Sequence, residues 1–206
     1  MTRRVAPLIL ALLAVAALPT AAEGRARCAV KGSHTVAKSP AVRAYVKRDR
    51  EGNRRLYGCL RKTGRKLLVA AEYDDQYVTS GVYRDVRLAG RFVVVVFEAT
   101  DVSCKAACPP DYETTQTSVV VRDVRSRKSR IARSPTAPGT LRLSNRGFAA
   151  WLTPVAGGAE LRVIDGAGLG RVVDTGAIDP ASVALPGGEL EWVKDATPAV
   201  LALTPF

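Results

Sequence analysis

The chain reads as an all-β protein, a β-propeller-like repeat of about four small antiparallel blades. Three observations predict this. A strand–turn–strand unit recurs, alternation and β-branched runs replace helical periodicity after residue 22, and Gly- or Asn-bearing turns punctuate the runs. The unit is clearest at 86–90 (VRLAG) before 92–97 (FVVVVF). It returns at 141–147 (LRLSNRG) before 148–152 (FAAWL), and at 183–188 (VALPGG) before 190–193 (LEWV). A fainter copy without the glycine is 34–40 (HTVAKSP) before 41–46 (AVRAYV).

In chain order, residues 1–22 read as an export signal. Arg3 and Arg4 precede an apolar stretch at 5–18, and small residues follow to Ala22. The stretch is shorter than the roughly 20 residues a spanning helix needs. No later segment is apolar for long enough, so the expected mature chain, 23–206, is a single secreted domain, extracellular or periplasmic.

Within it the first unit has expected strands at 41–47, 55–60 and 66–71. The second has 86–89, 92–99, 118–124 and 129–132. The third has 140–144, 148–154, 160–165 and 171–174, and the fourth 181–185, 189–194 and 199–203. The fourth unit is one strand short, and residues 27–30 are the candidate to complete it and close the ring, which would remove exposed edges. In the second and third units the third strand ends in a matching Asp, Asp123 and Asp165. A β-sandwich and an outer-membrane barrel are the alternative folds. The barrel is disfavoured because charges fall on both faces of many strands.

These features resemble small secreted β-propeller-like proteins, distantly akin to WD-repeat and Tol-type periplasmic propellers. The likeness runs from about Ser33 to the end. The Cys-bearing start around Cys28 and Cys59 is also similar to bacterial secreted proteins of unknown function. The Gly-His and Trp-Asp dipeptides of WD repeats are missing, so the resemblance implies a fold and carries over no functional residues.

Four cysteines in an exported chain predict two disulfides. Cys104 and Cys108 are close enough in sequence to pair locally, leaving Cys28 with Cys59. A metal site at Cys104 and Cys108 is the alternative, weakened because His34 is the chain's one histidine and zinc takes four ligands. No metal and no cofactor is expected.

Catalysis is not expected either. A Ser–His–Asp or Cys–His site would need His34 as its base, and His34 reads as a partly exposed strand residue. Paired carboxylates at Asp74 and Asp75, Asp111 and Glu113, or Glu189 and Glu191 leave a carboxylate-dependent hydrolase as a third-ranked reading. Glu189 and Glu191 alternate with Leu190 and Trp192, as in any half-buried strand. Asp101, Asp111 and Glu113 have calcium-like composition and nothing more.

Charge is more informative. The whole chain is +12, and the basic residues come in blocks. Residues 23–66 carry 14 Lys and Arg against 3 Asp and Glu, and residues 122–146 carry 8 against 1. Arg61, Lys62, Arg65 and Lys66 occupy the same hairpin of the repeat as Arg125, Arg127, Lys128 and Arg130. On a shared rim these would pool into one patch for an anionic polymer such as teichoic acid, acidic polysaccharide or nucleic acid. Aromatic residues are not interleaved with them, which argues against specific nucleic-acid reading. The leading expectation is a secreted, non-catalytic binding module for a protein or envelope component. Electrostatic capture of an anionic polymer through the basic hairpins is the second.

Overall fold

The computed structural model describes residues 28–74, 79–101 and 114–206; the expected export signal at 1–22, Cys104, Cys108, Asp75, Asp111 and Glu113 lie outside them. The described chain is all-β, with every strand pairing antiparallel and no helix that could cross a membrane.

The first sheet is a meander of β1 (His34–Lys38), β2 (Val42–Arg48), β3 (Arg54–Leu60) and β4 (Lys66–Ala71). The second has five strands: β5 (Tyr73–Asp74), β6 (Thr79–Ala89), β7 (Phe92–Asp101), β8 (Thr114–Asp123) and β9 (Ser129–Ser134). The third contains β10 (Thr140–Leu143), β11 (Ala149–Val155), β12 (Gly158–Asp165) and β13 (Gly168–Gly176). The last is the pair β14 (Glu189–Lys194) and β15 (Thr197–Ala202). Within each sheet the strands adjacent in sequence pair, as the recurring strand–turn–strand unit requires.

The sheets stack face to face around three cores. Val42, Ala44, Val46 and Leu56 of the first sheet meet Val93, Val95 and Val120 of the second. Phe92, Val94, Val96, Val119 and Val121 turn the other way, onto Leu141, Ala149, Trp151 and Ile164 of the third sheet. Phe148, Ala150, Leu152, Leu161 and Val163 then pack on Leu190, Trp192 and Leu203. Successive side chains of a strand point to opposite faces. A run such as Phe92 to Val96 is therefore continuously apolar because both faces of β7 are covered. Strands β2 and β14 belong to sheets covered on one face by a neighbour, and their apolar residues alternate.

Three features differ from the sequence expectation. No core joins the first sheet to the last among the described residues, so no closed ring is found. Residues 28–30 form no strand on the last sheet. They lie on the outer face of the first, where Cys28 is disulfide-bonded to Cys59 and packs with Tyr45 and Tyr57. The last sheet instead borrows two isolated bridges from its own chain, Ile178 to Lys194 and Ala184 to Glu191. The expected strand at 181–185 goes no further because Pro180 and Pro186 flank it and supply no N–H to a ladder.

The second sheet also exceeds its expected size. Strand β6 starts at Thr79, well before residue 86, and is carried across a bulge at Asp85, where φ is +48° and the register shifts between Arg84 and Arg87.

Candidate anion-binding cleft

Turns from successive sheets meet at one end of the stack. Ser39 Oγ, in the β1–β2 turn, donates to the Gly90 carbonyl in the β6–β7 turn at 2.9 Å. Within the second sheet the Val124 N–H donates to the Arg91 carbonyl of the neighbouring turn at 3.1 Å, and the Gly166 N–H of the β12–β13 turn donates to the Thr204 carbonyl, beyond β15, at 2.7 Å. Gly147 is required in the β10–β11 turn: its φ is +87°, and a Cβ there would lie 2.6 Å from the Phe92 ring.

The basic hairpins of the first two units have one geometry. The Leu60 N–H reaches the Arg65 carbonyl at 2.9 Å, and the Gly64 N–H reaches the Leu60 carbonyl at 2.7 Å. Their counterparts run from Asp123 to Lys128 at 3.0 Å and from Arg127 back to Asp123 at 2.8 Å. Arg127 thus holds, at φ +65°, the left-handed position that Gly64 holds at +72°.

Asp123 locks its hairpin. Its Oδ1 accepts from the N–H groups of Arg125 (2.8 Å) and Ser126 (3.2 Å), and Oδ2 pairs with Arg91 Nε at 3.0 Å. Asp165 repeats the arrangement with the N–H groups of Ala167 and Gly168, the Arg171 guanidinium and the Thr204 N–H. Burial opposes ionisation of Asp123, but the hydrogen bonds from Ser126 and Arg125 and the charge of Arg91 outweigh it and hold the pKa below the ordinary value. The two matching aspartates are turn locks.

Between the β6–β7, β8–β9 and β10–β11 turns and residues 205–206 lies a cleft of about 480 Å³. Phe92, Phe148 and Phe206 supply apolar wall, and Arg91, Lys128, Arg130 and Arg146 supply charge. The Arg130 guanidinium carbon sits 3.1 Å from the centre of the Phe206 ring, which leans on Phe148 at 5.6 Å between ring centres. Burial lowers the Arg130 pKa; Asp123 opposes that effect and Arg91 adds to it. Arg91 shares Asp123. Lys128, Arg130 and Arg146 form no ion pair among the described residues. Asp123 is the one acidic side chain lining the cleft among the described residues. Held ionised, it supplies balancing charge and no proton. The arrangement can hold an anion by its oxygens.

Of the eight cations expected to pool, the cleft takes Lys128 and Arg130. Arg125, Arg127, Lys62, Arg65 and Lys66 are exposed on their hairpins or at the start of β4. Arg61 is half-buried, donating to the Ser39 carbonyl at 3.2 Å, and lines a separate cleft with Arg43 and Lys38. Within the clefts the two hairpins contribute separately: Lys128 and Arg130 line one and Arg61 another. Arg91 and Arg146 were missed. Their signal was the repeat itself, since each stands in the turn just before the aromatic residue that opens the next run.

His34 is exposed on β1, and Glu189 is exposed beside half-buried Glu191 on the open face of β14. Leu190 and Trp192 point into the core, as the alternation implied. Asp74 and Asp101 end strands whose side chains there are not described. Among the described residues no group of three or more His, Cys, Asp or Glu side chains comes together as a metal site. Comparisons with protein-family models, curated proteins and solved structures found no match to this chain.

Proposed function

We propose that this protein is an exported, non-catalytic binding module that takes an anionic group, from an envelope polymer or a partner, into the cleft of Arg91, Lys128, Arg130 and Arg146. One observation carries the reading: turns from two adjacent sheets bring four cations to one acidic side chain, Asp123, which is itself tied into its turn. A guanidinium stacked on a ring keeps its edge donors for phosphate or carboxylate oxygens. In this reading the four stacked sheets form an open, propeller-like arc whose turn end is the binding face. The Cys28–Cys59 bond suits an oxidising compartment.

The test is binding of polyphosphate to the purified protein at 50 and 200 mM salt. Contacts to about four phosphates predict a loss of roughly 100-fold between the two. Replacing Arg130 and Arg146 with Gln should weaken binding at least tenfold, while replacing the exposed Arg125 and Arg127 with Gln should weaken it far less. The reverse ranking, or binding indifferent to salt, would reject the cleft as the site.

A further inference from the structure

Arg122 stands where the repeat calls for an apolar residue. It precedes the hairpin lock Asp123 just as Ile164 precedes Asp165, and Ile164 is fully buried in a core. On β8 it lies between Val120 and Val124, both facing the first sheet, and it pairs across with fully buried Val93 on β7. Its Nε is shielded from solvent and has no hydrogen-bond partner among the described residues, and it forms no ion pair there. Arg122 as a whole is half-buried, but a shielded N–H donor without an acceptor is rare in folded proteins and points to a ligand or ion that supplies one.

The space beside Arg122 is a pocket of about 210 Å³ between β4 and β8–β9, with apolar walls from Val69, Ala71, Phe97, Val120 and exposed Ile131. At about 30 Å³ for each water-sized group, it holds roughly seven such groups. One guanidinium fork matches one carboxylate, and the walls match a hydrocarbon stem rather than a second charge.

We propose that this pocket binds a short aliphatic carboxylate, its head on Arg122 and its chain along Val69, Val120 and Ile131 between the first two sheets. The site is separate from the cationic cleft, and neither reading depends on the other. No bond is made or broken; binding supplies the acceptor that Arg122 lacks.

Sodium hexanoate, with 1-hexanol as its uncharged match, is the probe, followed by amide chemical shifts of the full chain. Hexanoate should give saturable shifts at Val69, Ala71, Val120 and Ile131, and 1-hexanol at equal concentration should give at least tenfold weaker ones. Arg122→Met should abolish hexanoate binding while keeping the fold, because a linear apolar side chain suits the position. Arg122→Lys should weaken binding several-fold by keeping the charge and losing the fork. Arg130→Gln, in the cleft, should leave these shifts unchanged. Absence of saturable shifts, equal binding by Arg122→Met, or shifts confined to the cleft would overturn the proposal.

Discussion

The inner and terminal sheets of this molecule obey different rules. In β7 the inner second sheet carries five consecutive buried residues, Phe92 to Val96. In β14 the terminal sheet buries Leu190 and Trp192 and turns Glu189 and Glu191 away from the core. Strand β2 alternates too, but there the outward Tyr45 is buried beneath the disulfide-tethered residues 28–30. The difference teaches that hydrophobic pattern counts covered faces: two for an inner sheet, one for an end sheet, and a disulfide-held cap where one face would otherwise lie bare.

Trp151 and Trp192 test the comparison most strongly, because they occupy the same repeat position in an inner and a terminal sheet. Trp151 is 0% exposed and donates to Ser134 Oγ at 3.1 Å; Trp192 is 7% exposed and donates to Asp174 at 2.8 Å. Trp151→Ala should cost about 3–5 kcal/mol in denaturant unfolding. Trp192→Ala should cost less, and equal losses would break the distinction. Replacing Cys28 and Cys59 with Ser removes the cap on the first sheet. With the two cysteines 31 positions apart, the chain-entropy argument predicts a loss of about 3–4 kcal/mol. A loss below 1 kcal/mol would show that the cap contributes little.

A smaller effect distinguishes the turn locks from the cores. Burial opposes ionisation of Asp165, but Arg171, Thr204 and Ala167 outweigh it and hold the pKa below the ordinary value, as at Asp123. Because the folded values are depressed, this stabilisation is complete above about pH 4 and is lost as pH falls through the folded pKa. Asp165→Asn should lower the denaturation midpoint at pH 7 and flatten its acid dependence. An unchanged acid profile would assign that dependence to other groups. The smallest effect belongs to Arg127. Arg127→Gly should stabilise the hairpin by up to about 1 kcal/mol, since Gly64 already serves the equivalent turn. A destabilised variant would mean the Arg127 side chain contributes more than its backbone strain costs.

Most strands were legible because covered faces leave a period in the residues, and the turns between them carry Gly, Asn or Asp. Strand β5 and the early part of β6 were not, since the residues from Thr79 to Asp85 include Thr, Ser, Gly and Asp and cross a bulge. The Cys28–Cys59 bond followed from elimination. The contrast between the continuous run of β7 and the alternation of β2 and β14 marks which sheets are covered on one face, whereas the repeat alone suggests closure. The cleft was only half legible. Lys128 and Arg130 stand in a visible basic block, while Arg91 and Arg146 are single arginines that converge only when sheets stack. Arg122 was invisible as a site, because a basic residue within a basic block says nothing of which face it points to.

The glutamates on the open face of β14 constrain how such an arc can lengthen in evolution. A fifth sheet added beyond the last would bury Glu189 and Glu191 without partners, a cost of several kcal/mol for each. A duplicated inner unit already presents two apolar faces and would be accepted between the second and third sheets. Lineages of this architecture should therefore gain units by internal duplication, with both terminal units retained at the ends.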